Sequence, residues 1–354
     1  MTPSQLPPPP PGYGPPALQP IILPATRAGG GFARAVFTTL AITIFGLSLT
    51  LNIWTLGYLA MSSSDGIDRV VLTEGDPDTT VAVVPLDHEI TAESVEGFVK
   101  LLRTVADDAS VKAVVVEINT PGGTVGGSDR IHGALTKLKL SRKLPVVVAM
   151  GDLATSGGYY IACAADHVVA GRTTWTGNIG VLLPRISLAR LAEKYGVDDR
   201  TIVSTGADFK DAGSMFKDDT PEETQYWTSL ADQAFDGFKD VIVQGRKLPR
   251  GEVDKLANGK VYTAAEALKL KLIDEIGDLD AAAAAAAQRA GVSRPHVVRM
   301  EYKPSLLGGL GGFAAASQDR SVLGVEINGA KVGIDARTTS RWLSRRPMYL
   351  FRGE

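Results

Sequence analysis

Ser156 stands at the join of two contrasting stretches. Before it, Val146 to Met150 is a short apolar run that reads as a buried strand. The chain is expected to turn through Gly151, Asp152 and Thr155. Ser156-Gly157-Gly158 then opens an Ala- and Tyr-rich run to Ala165 that reads as a buried helix. A serine on a turn between strand and helix exposes its hydroxyl, and Gly157 lets a substrate come close to the backbone. The N–H groups at the helix start lack intrahelical partners and can receive developing negative charge. The same residues also fit a plainer role, a helix N-cap serine with turn glycines.

A second glycine group lies upstream. Val111 to Ile118 reads as a strand and is followed by Asn119-Thr120-Pro121-Gly122-Gly123. Proline then glycines at a strand's carboxyl end make a stiff turn with exposed N–H groups. An oxyanion hole needs two such donors, and Gly123 and Gly157 are the candidates. The alternative is an ordinary strand-to-helix turn. No Gly-Lys-Ser/Thr follows, so it is not a P-loop.

A serine nucleophile needs a base. No histidine falls between His167 and His296. A lysine serves if burial lowers its pKa from about 10.4 toward neutrality. Lys210 follows Gly206 in a loop, and Lys194 and Lys217 compete with it on composition. The four histidines lack zinc-ligand spacing, and the single Cys163 excludes an internal disulfide and a cysteine metal cage. No metal or cofactor is expected. A net charge of −2 gives no reason to expect nucleic acid as a partner.

These residues need a scaffold, and the chain alternates strand and helix patterns from about Thr79. Strands are expected at Val81 to Leu86, Val111 to Ile118, Val146 to Met150, Val168 to Ala170, Ile179 to Leu183 and Arg200 to Val203. Helices are expected at Ala92 to Val105, Gly126 to Leu138, Ile186 to Tyr195 and Pro221 to Gln244. Asp280 could cap another through Ala281 to Ala287. The alternation predicts an α/β fold with a largely parallel sheet, its functional loops at the carboxyl ends of the strands.

The flanks differ. Residues 1–24 hold ten prolines and cannot bury a core. Ala35 to Met61 carries no Asp, Glu, Lys or Arg, and about 20 apolar residues suffice to cross a bilayer as helix. Trp54 and Tyr58 suit the interface. Arg27 and Arg34 before the run, against Asp65 after it, place the N-terminus in the cytoplasm and the body outside. A retained anchor is expected, with a cleavable signal peptide as the rival reading. Near the end, Arg337, Arg341, Arg345, Arg346 and Arg352 mix with Trp342, Met348, Tyr349, Leu350 and Phe351. That segment reads equally as a docking tail or as disorder.

Several stretches together resemble the signal peptide peptidase A (protease IV-like) family of the Clp protease/crotonase superfamily. They are NTPGGTVGGSD at 119–129, ATSGGYYIACAADHVVA at 154–170, TGNIGV at 176–181, the Gly206 to Lys210 loop and GKVYTAAEALKLKLIDEIG at 259–277. The resemblance covers about residues 80–292. It implies repeated β-β-α units and a membrane-bound serine peptidase with a Ser–Lys dyad. By position, Ser156 matches the nucleophile, Lys210 the base, and the Gly123 and Gly157 backbones the oxyanion hole. The chain departs from the family in three places. The Gly206 to Lys210 loop is one residue longer than usual. Asn178 stands where some members carry a serine near the lysine, and can take over a supporting hydrogen bond. Lys271 replaces a common glycine.

The expected organisation is a disordered cytoplasmic tail (1–34), a transmembrane helix (35–61), a linker (62–78), a peptidase domain (79–300) and a C-terminal tail (301–354). The expected activity is endopeptidase cleavage of membrane-derived peptides such as remnant signal peptides, by a ring-shaped homo-oligomer in which Ser156 of one subunit meets Lys210 of the next. Two alternatives share the fold: a crotonase-type acyl-CoA enzyme and a non-catalytic membrane scaffold.

Overall fold

The computed structural model describes residues 31–62, 66–303, 323–327, 330–334 and 348–350. The expected disordered segment before Gly31 lies outside them. The chain divides into two units, 1–62 and 63–354.

The first unit contributes helix α1, Gly31–Ser62, longer at both ends than the apolar run. Within it Arg34–Tyr58 has a mean hydropathy of 1.8 and none of its most apolar stretch is buried, so length and composition suit a membrane span. Its hydroxyls do not disqualify it. Thr43 and Thr55 donate to the carbonyls of Thr39 and Leu51, at 2.8 and 2.7 Å, and so satisfy themselves within the helix.

In the second unit, valine-rich runs form the centre of a sheet. β1 (Gly66–Thr73), β2 (Asp76–Leu86), α2 (Ala92–Asp107), β3 (Val111–Thr120), β4 (Gly122–Thr124), α3 (Val125–Arg142), β5 (Val146–Thr155), α4 (Gly157–Ala162), β6 (His167–Ala170) and β7 (Trp175–Gly177) follow in order. Then come α5 (Ala189–Lys194), α6 (Pro221–Arg246), α7 (Arg250–Leu256), β8 (Val261–Thr263), α8 (Ala264–Lys269), β9 (Glu275–Ile276), α9 (Leu279–Ala290) and β10 (Pro295–Lys303). Among the described residues after β10 are three short strands: β11 (Leu323–Ile327), β12 (Ala330–Ile334) and β13 (Met348–Leu350).

The main sheet runs β1-β10-β2-β3-β5-β6-β9, parallel except for the edge strand β1. The last residues of β5 leave β6 and pair with β7, which pairs with β8. β3, β4 and α3 form one β-β-α unit. Strand alternation divides the core into two layers. Ala82, Val84, Val114, Val116, Val146 and Val148 pack with α2, α3 and α4. Val81, Val83, Val115 and Val147 pack with Ala282, Ala283, Ala286 and Ala287 of α9. Methyl-sized side chains let α9 lie close to the sheet, which gives the alanine run its purpose.

Several expected elements differ. Ile179–Leu183 forms no strand; the strand is β7, just before it. Arg200 to Val203 is irregular, and Ile202 is 95% exposed, so its β-branched residues have no layer to pack into. The helix expected from Ile186 is only Ala189–Lys194. α9 starts earlier than expected, and Asp278, not Asp280, caps it by accepting from Ala281 N–H at 2.9 Å. The stretch 62–78 contains β1 and the start of β2.

Candidate active site

β5 continues unbroken to Thr155 and α4 begins at Gly157, so Ser156 alone makes the turn. The wider turn expected through Gly151 and Asp152 is replaced by strand, which runs on to pair Leu153, Ala154 and Thr155 with β7. Ser156 has φ 54° and ψ −115°. A residue with a Cβ reaches that region only under strain, about 1–3 kcal/mol, and such strain gathers at functional sites. A sharp strand-to-helix turn of this kind presents a nucleophilic serine in hydrolases. The Ser156 N–H donates to the Gly177 carbonyl at 2.7 Å, and its carbonyl accepts from Tyr160 N–H at 2.9 Å. Its side chain makes no cap hydrogen bond, which removes the plainer N-cap role. Ser156 is 1% exposed, and Oγ has no hydrogen-bond partner among the described residues. An unsatisfied buried hydroxyl costs about 1–3 kcal/mol, so it calls for a reason.

The two glycine groups meet at this turn. A Cβ on Gly157 would lie 2.3 Å from Ser128 Oγ, on α3, and 3.4 Å from Gly122 Cα. A Cβ on Gly123 would lie 2.3 Å from the Ile90 carbonyl oxygen. Both positions therefore need glycine for close approach. Ile90 fixes β4 from one side: its N–H donates to Gly122 C=O at 2.8 Å, and its C=O accepts from Thr124 N–H at 3.0 Å. Thr120 Oγ1 accepts from Gly122 N–H at 3.2 Å and donates to His88 C=O at 2.6 Å, and Thr155 Oγ1 donates to Pro121 C=O at 3.2 Å. The N–H of Gly157 precedes the first intrahelical bond of α4 and points out of the helix start.

The three lysines separate clearly. Lys217 donates to Glu223 at 2.7 Å and pairs with Asp211 at 2.9 Å. The hydrogen bonds to Glu223 and Asp211 raise its pKa, the wrong direction for a base. Lys194 lies over the Tyr195 ring, 5.6 Å from its centroid. Lys210 has no ion pair described and is exposed in an irregular loop. It lines a cavity of about 810 Å³ with Arg185, Asp211, Lys217, Asp219 and Trp227. One chain thus leaves Ser156 Oγ without the lysine and Lys210 without burial. Asn178 is half-buried beside the Ser156 turn. Its Nδ2 donates to Gly259 C=O at 2.7 Å, leaving Oδ1 as the group able to accept.

The family model described as Peptidase family S49 matches residues 138–293. A putative protease of Synechocystis is 36% identical over 213 residues, which is 60% of this chain and 75% of that protein. The chain belongs to peptidase family S49. This is the signal peptide peptidase A family that its motifs resemble. A chloroplastic serine protease, SPPA, of Arabidopsis thaliana is 31% identical over 279 residues, 77% of this chain and 40% of that one. A putative signal peptide peptidase SppA of Enterococcus faecium is 35% identical over 182 residues, 51% of this chain and 52% of that one. The S49 chain described here thus spans 40% and 52% of the length of these two relatives. The S49 match includes Ser156, Gly157, Asn178 and Lys210 and begins after Gly123.

Sequence reasoning missed the S49 site's supports. Thr120 and Ser128 lie inside the quoted motifs and were available as signals. Ile90, which clamps β4, carries no signal at all. Lys271 has φ 58°, the left-handed region, which accounts for glycine being common there.

Proposed function

We propose that the chain is a membrane-anchored serine endopeptidase with a Ser–Lys dyad. The observation that carries the reading is Ser156: a strained backbone, a buried hydroxyl and no cap bond. Nothing structural explains that combination, whereas an activated nucleophile needs it. Neutral Lys210 takes the Ser156 Oγ proton as Oγ attacks a peptide carbonyl. The N–H groups of Gly123 and Gly157 receive the oxyanion, the lysine passes its proton to the leaving amine, and water releases the acyl-enzyme. Asn178 Oδ1 accepts a hydrogen bond from the ammonium form.

Lys210 is exposed within one chain, so the reading assigns it to the neighbouring site of a ring. Each subunit would offer its serine to one neighbour and its lysine to the other, a head-to-tail contact that closes on itself. The surface around Lys210 supports this reading. Ile186 and Ile202, which line the same cavity, and the neighbouring Phe209 are exposed there, and apolar surface of that kind marks an interface. α1 serves as the anchor, with Arg27 and Arg34 on the cytoplasmic side and the peptidase body outside. Substrates are extended membrane-derived peptides, remnant signal peptides among them, paired by backbone hydrogen bonds along β4.

A fluorophosphonate probe applied to the full chain tests the reading, since it reacts only with an activated serine. Wild type should be labelled at Ser156 and Ser156→Ala should not. Labelling that persists in Ser156→Ala, or no labelling of wild type, refutes it. An acyl-CoA enzyme or an inert scaffold would take no label.

A further inference from the structure

Helix α1 carries one side chain that a bilayer cannot satisfy. The threonine hydroxyls of the span are answered inside the helix: Thr39, Thr43, Thr50 and Thr55 each donate to the carbonyl four residues back. Asn52 differs. Its carboxamide offers two N–H donors and a carbonyl acceptor. Among the described residues Nδ2 reaches only Ser48, donating to its backbone carbonyl at 2.6 Å and lying 3.4 Å from its hydroxyl, and Oδ1 accepts nothing. The span Arg34–Tyr58 is 25 residues long, with Gly46 at its middle. Asn52 stands six residues further on, about 9 Å along the axis. That depth is still within the ~15 Å of hydrocarbon on either side of a bilayer's midplane. Lipid has no donor to offer there, so an exposed Oδ1 is left uncompensated.

The residues around Asn52 describe what covers it. Ala41, Phe45, Ser48, Asn52 and Thr55 recur at spacings of four, three, four and three. That is the 3.5-residue period of a seam along which two parallel helices wind left-handed. In this frame Asn52 takes an a position, where a lone asparagine fixes register and partner number in paired helices. Ser48 and Thr55 beside it are small enough to let backbones approach. The other side of α1 has a different character. At about 100° per residue, Trp54 lies about 200° round from Asn52. It stacks with Tyr58, ring centroids 6.3 Å apart, and an aromatic pair of this kind belongs at the lipid–water boundary. α1 thus has a lipid side and a seam side.

A carboxamide is self-complementary, since its N–H donates to the carbonyl of an identical group. Copies of one chain insert in the same direction, so in a parallel pair Asn52 meets Asn52 at the same depth. We propose that the seam side of α1 binds α1 of a second copy of this chain, with Asn52 Nδ2 of one helix donating to Asn52 Oδ1 of the other. The inference rests on the reading of α1 as a membrane span.

The test is oxidative cross-linking of the full chain in phosphatidylcholine/phosphatidylglycerol liposomes, scored as disulfide-linked dimer on a denaturing gel. Cysteines are introduced singly: Ser48→Cys and Thr55→Cys on the seam, Leu47→Cys and Trp54→Cys opposite it. Wild type, with buried Cys163 alone, is the blank. A disulfide needs Cα atoms about 4.4–6.8 Å apart, so the two seam variants should form dimer and the two opposite should match the blank. Asn52→Leu added to Ser48→Cys should weaken the association about 3- to 30-fold, read from dimer yield as lipid is added, as for loss of a polar contact between helices. Asn52→Gln, which keeps the carboxamide, should recover most of that loss. Equal dimer from both sides, or a yield indifferent to Asn52→Leu, overturns the proposal and leaves the anchor standing. So does a seam that cross-links, in native membranes, to a different protein in place of a second copy. Chain that alkaline carbonate strips from the liposomes overturns the anchor and the proposal together.

Discussion

Gly157→Ala tests the oxyanion assignment with a magnitude set by the packing. The new methyl would lie 2.3 Å from Ser128 Oγ and 3.0 Å from Ile90 Cδ1. Ordinary contact begins near ~3.5 Å, so one side must yield by about 1 Å. Ser128 is fully buried and donates to the Thr124 carbonyl at 3.0 Å, so its hydroxyl gives way only by breaking that bond. The start of α4 moves instead and carries the Gly157 N–H with it. An oxyanion donor must come within about 2.7–3.1 Å of the charge, and losing one costs roughly 10²–10³ in kcat. The overpacking adds about 1–3 kcal/mol of destabilisation. The measurements are kcat and KM on a fluorogenic peptide, normalised to probe-titrated sites, together with Tm. Ser128→Ala removes the obstructing atom, so Gly157→Ala/Ser128→Ala should recover at least about tenfold of the lost kcat, a coupling a double-mutant cycle reads directly. A single variant within about threefold of wild type, or a double variant no better than the single, refutes the argument. Gly123→Ala provides the contrast. Its obstacle is the Ile90 backbone carbonyl, which no side-chain substitution removes.

Two further expectations concern assembly and acid stability. Ser156→Ala and Lys210→Ala subunits, each inactive, should regain about a quarter of wild-type activity when co-assembled at random, because about one interface in four then pairs an intact serine with an intact lysine; no recovery would place the dyad within one subunit. Asp274 is held in a fork by Arg246, at 2.7 and 2.9 Å. Burial pushes its pKa up, but the hydrogen bonds and charge of Arg246 outweigh burial and leave it below 3.8. The stabilisation is therefore complete above the unfolded value and lost as pH falls through the folded one. Asp274→Asn should cost about 2 kcal/mol at neutral pH, between an exposed and a buried pair, and its Tm deficit should shrink below pH 3.8; a deficit constant across that range counts against it.

The parts legible in the sequence are those where local pattern and tertiary context agree. The apolar runs around Val83, Val115 and Val147 are buried on both faces and read as strands without help. α6 announces itself with Thr220, Pro221 and Glu223, an N-cap, a first-turn proline and a capping box. Where the partner is distant in sequence, the pattern failed. β1 depends on β10, more than 200 residues later, and its exposed Val70, Val71 and Leu72 carry no clean alternation. Residues 153–155 are strand with partners distant in sequence, Trp175–Gly177 of β7 on one side and Thr120 of β3 on the other. Ile202 shows the opposite error, a strand-forming type with nothing to pack on. At the candidate site, the glycines were readable because close approach dictates their type, and Ser156 because contrasting strand and helix patterns meet at it. Lys210 was not separable from Lys194 and Lys217, since the pattern around an exposed loop lysine contains no local signal of its role.

The seventh residue after Ser156 has a practical consequence. Cys163 is the chain's one sulfhydryl, it packs 3% exposed at the end of α4, and burial pushes its pKa up to about 12 from 9.0. Between those values the thiolate fraction at neutral pH falls about a thousandfold, and the thiolate is what alkylating reagents attack. In the native protein the thiol is chemically silent. It becomes reactive only when α4 lifts from the core, so the alkylation rate counts those openings against the known rate for a free thiol. The helix after Ser156 thus carries its own clock: a maleimide and a mass spectrometer report how often the turn that holds Ser156 comes apart, with no substrate present and no residue changed.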